Sequence, residues 1–75
     1  MLTPKQAEIL GFINTHRAAE QYNPTGKDAC RHFGWSSENS WVCNIKALER
    51  KGAIAKRSSG RYVVLPPFER VGVVD

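Results

Sequence analysis

Cysteine is scarce. The chain has two, Cys30 and Cys43, too few for a disulfide framework. Metal ligation is equally poorly provided for. Cys30 and His32 lie two apart on an expected helix and so point about 200° apart. Adding His16 and Cys43 gives no recognised zinc spacing, so no metal or other cofactor is expected. No apolar run reaches the length of a membrane span, and residues 1–6 lack the apolar segment of a secretory signal. The expectation is therefore a protein of the reducing cytoplasm with no membrane partner. Glycines are few, and Gly26-Lys27-Asp28 lacks both the upstream glycine and the Ser/Thr of a phosphate loop. No Ser/His/Asp or Cys/His arrangement marks a nucleophile, so no enzyme is expected. Repeats and low-complexity segments are absent.

Acids are also in short supply. Seven Asp and Glu face eleven Lys and Arg, for a net charge of +4 over 75 residues. From Lys46 to Arg61 the imbalance is sharper: Lys46, Arg50, Lys51, Lys56, Arg57 and Arg61 stand against Glu49 alone, a local +5. Clustered cations of this kind are the footprint of a nucleic-acid partner. With 41% hydrophobic residues, the chain can fold, but only as one small domain with a modest core.

What is present is organised around residues 36–52. Ser37 reads as an N-cap whose hydroxyl accepts from a first-turn amide. Arg50 and Lys51 occupy the last turn, where cations suit the helix dipole. Gly52 can take the left-handed conformation that ends a helix. Trp41, Ile45 and Leu48 fall at i, i+4 and i+7, a single apolar stripe. Asn39, Ser40, Cys43, Asn44, Lys46 and Arg50 occupy the other faces.

Ahead of this helix, Thr3, Pro4 and Gln6 form a helix start with a capping box. Ile9, Phe12, Ile13 and His16, with Leu10 beside them, continue it to about residue 20. His16 is expected to be packed and hydrogen-bonded. Thr25, with Asp28 three residues on, starts a short helix over residues 26–33. Gly34 ends it, and Trp35 is expected to fold onto the core. Only residues 34–36 then separate it from Ser37, which makes a helix-turn-helix. Beyond Gly52, residues 53–57 and 61–65 read as strands joined by a turn at 58–60, and Pro66-Pro67 stops the second. The fold class is α+β, mainly α: a winged helix-turn-helix, three helices followed by a two-stranded β-hairpin wing. Residues 1–65 form the domain. Residues 66–75 form a tail, with Val71, Val73 and Val74 as an extra strand or a dimer element.

At this point the chain resembles the N-terminal DNA-binding domain of the LexA repressors. The likeness runs from residue 3 to about 65. It rests on Leu2-Thr3, Gln6, Glu8-Ile9, Phe12-Ile13 and His16, on Pro24-Thr25 and Gly34-Trp35, and on Ser37 and Asn39. It is plainest at Lys46-Ala47-Leu48 and Arg50-Lys51-Gly52, followed by Ile54 and Gly60-Arg61. The resemblance implies a sequence-specific reader of double-stranded DNA, with Ser37, Asn39 and Ser40 where the family's base-reading residues lie. There are departures: Trp41 replaces a small residue, Val42 and Cys43 replace acids, and Ser58-Ser59 differ in the wing. The family's operator therefore does not carry over. Nor does its self-cleavage, whose serine-lysine dyad is not among these residues.

The side chains suit that chemistry. Asn39 can pair bidentately with adenine, and Ser37, Ser40 and Asn44 can meet base edges. Val42 and Cys43 on the groove side are unusual for a duplex reader, though a valine there can meet a thymine methyl. Lys46, Arg50, Lys56, Arg57 and Arg61 suit phosphates, which set register without carrying sequence. Thr25 and Lys27 start the second helix, whose amide-rich N-terminus suits another phosphate. One domain covers few base pairs, so a homodimer or cooperative array on DNA is expected. The rival expectation is a phage-encoded winged helix that modulates or inhibits a host protein complex. It draws on the two tryptophans near the third helix and on its missing acids.

Overall fold

The computed structural model describes residues 2–57 and 61–72. Three helices come first, α1 (Pro4–Glu20), α2 (Gly26–Phe33) and α3 (Asn39–Arg50), then strands β1 (Ile54–Lys56) and β2 (Tyr62–Val64). A single 3-10 turn, Phe68–Arg70, follows. This is the expected winged helix-turn-helix. The expected 58–60 turn lies outside the described residues, as do Val73 and Val74 of the tail.

Local chemistry sets most of the boundaries. Thr3 accepts from the amide of Gln6 and Gln6 reaches back to that of Thr3, at 3.1 and 3.0 Å. Thr25 and Asp28 form the same reciprocal box at α2. α1 ends as Gln21 turns left-handed, φ 68°. α3 ends in a Schellman motif: the amide of Ala53 bonds the carbonyl of Leu48, and that of Gly52 bonds Glu49. That closure requires positive φ at Gly52, 81° here, which glycine adopts without steric cost.

The start of α3 differs from the sequence expectation. Ser37 is not its cap. The helix begins at Asn39, and Glu38 precedes it with φ −86° and ψ 5° and no side-chain capping bond. The carbonyl of Ser37 instead accepts from Cys30 Sγ at 3.2 Å, which ties residue 37 to α2. The turn between the helices is therefore residues 34–38, longer than the spacing suggested.

The core sits where all the elements converge. Ile9, Leu10 and Ile13 of α1 meet Ala29 of α2, Trp41, Ile45 and Leu48 of α3, and Ala53, Ile54 and Val64 of the wing. The wing is antiparallel, with Ile54 opposite Val64 and Lys56 opposite Tyr62. Bonds from Leu65 to Ala53 and from Arg57 to Arg61 prolong the ladder beyond the paired strands. Over Phe68–Arg70 the tail is a turn rather than a strand, and it lies on α1. Asn14 donates to the carbonyls of Phe68 and Val71, both at 2.9 Å. Gly72 approaches Gly11 so closely that a Cβ on either would press on the other's backbone.

Candidate nucleic-acid interface

The buried stripe of α3 determines which of its side chains face outward. Trp41, Ile45 and Leu48 are buried. At about 100° per residue, Asn39, Cys43, Lys46 and Arg50 point within about 50° of the opposite direction. All four are exposed, as are Ser37 and Ser40. Asn44 is half-buried, and its Nδ2 donates to the carbonyl of Ser40 at 2.8 Å. Its amide is thus turned back along the helix rather than held outward with Asn39.

Trp41 is part of the core, its ring near those of Phe12 and Tyr62. Trp35 is half-buried, stacked on Phe33 with the Lys5 ammonium 5.3 Å from its ring centre. Neither tryptophan stands out as the exposed anchor of a protein-binding surface.

An open groove of about 920 Å³ joins one flank of α3 to the wing and to the connection between α1 and α2. Val42 lines it from α3, Lys56, Arg57 and Arg61 from the wing, and Tyr22 and Thr25 from the connection. The wing cations are exposed. Among the described residues no carboxylate forms an ion pair with them, or with Lys46 and Arg50. Their field is therefore offered to solvent or to a partner.

The start of α2 is more crowded than the sequence suggested. Lys27 is exposed. The Thr25 hydroxyl, however, is already engaged with Asp28, and its amide donates to Asp28 Oδ2 at 3.0 Å. That backbone hydrogen bond is the main reason the Asp28 carboxyl lies below the usual aspartate range. The carboxylate of Glu38 lies against Gly26, where a Cβ would overlap it. Two carboxylates thus occupy the amide-rich end expected to seat a phosphate.

Hydrogen bonds hold the wing to this surface. Asn23 donates to the carbonyl of Tyr62 at 2.6 Å, and the Tyr62 hydroxyl donates to the carbonyl of Pro24 at 2.7 Å. Burial pushes the Tyr62 phenol well above its ordinary range, so it remains a donor at any physiological pH. His16 is packed as expected, its Nδ1 3.3 Å from the carbonyl of Tyr22. Among the described residues no group of three His, Cys, Asp or Glu side chains could hold a metal ion. No helix there is long and apolar enough to cross a membrane.

Sequence reasoning missed Tyr22 but put Val42 on the groove side of the third helix. At 57% and 44% they are the exposed large hydrophobics among the described residues, and both line the groove. Val42 was legible from its position beside rather than within the apolar stripe, whereas Tyr22 lies in a connection with no periodicity to read.

Known proteins point the same way. The family model of the LexA DNA binding domain matches residues 1–61. The LexA repressor of Verrucomicrobium spinosum is 36% identical over 76 aligned residues, covering all of this chain and 38% of that protein. LexA repressor 1 of Pseudomonas syringae pv. tomato is 41% identical over 69 residues, covering 91% of this chain and 34% of its own length. The LexA repressor of Pseudomonas aeruginosa is 39% identical over the same shares. The chain thus spans little more than a third of the length of these curated relatives.

Proposed function

Because the chain belongs to the LexA DNA-binding domain family, we propose that it is a sequence-specific reader of double-stranded DNA that acts in transcriptional repression. α3 enters the major groove. Ser37, Asn39 and Ser40 meet base edges, with Asn39 the principal reader, while Asn44 braces Ser40 from behind. Lys27, Lys46, Arg50, Lys56, Arg57 and Arg61 take phosphates, and Thr25 holds the start of α2 in place. Arg61 is also suited to an adjacent minor groove. Two copies on symmetric half-sites fit a domain that covers few base pairs, and a cytoplasmic location goes with this role.

The observation that carries the reading is the outward face of α3. A polar front opposite a fully used apolar stripe is bordered by cations that have no carboxylate partner among the described residues. Selection from a random duplex library, followed by titration of variants, tests it. Asn39→Ala should lose about 1–3 kcal/mol on the selected site and relax preference at one base pair. Arg61→Ala should weaken all duplexes alike and lower the slope of log affinity against log salt by about 1. Equal binding of wild type and Asn39→Ala to every duplex would remove the base-reading role.

A further inference from the structure

One turn beyond Asn39, the outward side of α3 changes character. Val42 and Cys43 are exposed there, about 5 Å further along the helix axis and so over a different base step. Asn44, the polar neighbour that could have served that step, has its amide on the carbonyl of Ser40. The side chains left facing out from this turn are an aliphatic group and a thiol.

An exposed valine on a reading helix costs hydration unless something covers it. Its surroundings say what that partner carries. Val42 shares its groove with Lys56, Arg57 and Arg61, so the partner is strongly anionic beside the apolar contact. An apolar peptide does not satisfy that wall of cations. A DNA duplex does, and its major groove displays one apolar feature, the C5 methyl of thymine.

We propose that Val42, supported by Cys43, selects a thymine by its methyl group, at a base step next to the one read by Asn39. This rests on the reading of α3 as the groove helix. It assigns that step to van der Waals contact rather than to hydrogen bonding. Discrimination there should be weaker than at an amide-paired adenine, because no buried polar group is left unpaired by the wrong base.

The test replaces each thymine of the selected duplex singly with deoxyuridine, which removes the methyl and nothing else. Wild-type protein should lose about fourfold in affinity at one or two positions, the worth of one buried methyl-sized group. In Val42→Ala the same replacements should cost less than about twofold. A thermal melt of the variant should match wild type, since the removed atoms are at the surface. Enrichment of a site that tolerates deoxyuridine throughout, a selected site without thymine, or an undiminished deoxyuridine effect in Val42→Ala would each overturn the methyl contact alone. Failure to enrich any duplex would overturn the DNA reading and this inference together.

Discussion

Asn14 is a polar residue at 1% exposure in the middle of α1. Its Nδ2 serves the carbonyls of Phe68 and Val71, and its Oδ1 accepts from Arg17 at 3.0 Å. All of its polar capacity in view is thus used, which is what makes its burial affordable. Asn14→Ala leaves two backbone carbonyls without that donor and opens a small space against the tail. The expected loss is about 1–3 kcal/mol, seen as a melting temperature lower by roughly 5–15 °C for a domain of this size. An unchanged melting temperature would mean that the tail does not dock on α1 in solution. Nothing in the spacing of residues 4–20 distinguishes Asn14 from a solvated asparagine, because its partners lie 54 and 57 positions away.

At the scale of elements, the helix ends are mostly self-contained. The Thr25–Asp28 box starts α2 and carries a pH dependence. The Asp28 carboxyl is held below the ordinary aspartate value of 3.8, chiefly by the amide of Thr25. A group depressed on folding adds stability above its unfolded value and loses it as pH falls through the folded one. Asp28→Ala should therefore melt below wild type at pH 5, and the gap should narrow as pH falls below 3.8. Thermal melts at a series of acidic pH values check this, and a gap that widens in acid would contradict it. The box was legible because its partners are three residues apart. The start of α3 was not, since the bond from Cys30 to the carbonyl of Ser37 spans two elements. Good capping chemistry at Ser37 yields there to a contact that no local pattern announces.

For the molecule as a whole, the question is what makes the wing part of the same surface as α3. Ile54 and Val64 bring it into the core, and Tyr62 binds it to the connection between α1 and α2. Tyr62→Phe keeps the ring against Trp41 but leaves the carbonyl of Pro24 without its donor. The expected cost is about 1 kcal/mol. Urea unfolding should show it as a lower midpoint at an unchanged slope, because the exposed surface does not change. A stability equal to wild type would indicate that the wing is held by its apolar contacts alone.

By itself the chain's order of residues determined the helices, the wing, the buried stripe of α3 and the concentration of cations after Lys46. Capping boxes, 3.6-residue periodicity and strand propensity act over a few residues, so a linear reading can recover them. Only the tertiary structure decided that Asn44 turns back onto Ser40, that Glu38 rather than Ser37 precedes α3, and that residues 68–71 lie on Asn14. It alone put Val42 and Tyr22 in one groove with the wing cations. Those outcomes come from competition among partners brought together by the common core, and such a competition leaves no trace in residue spacing.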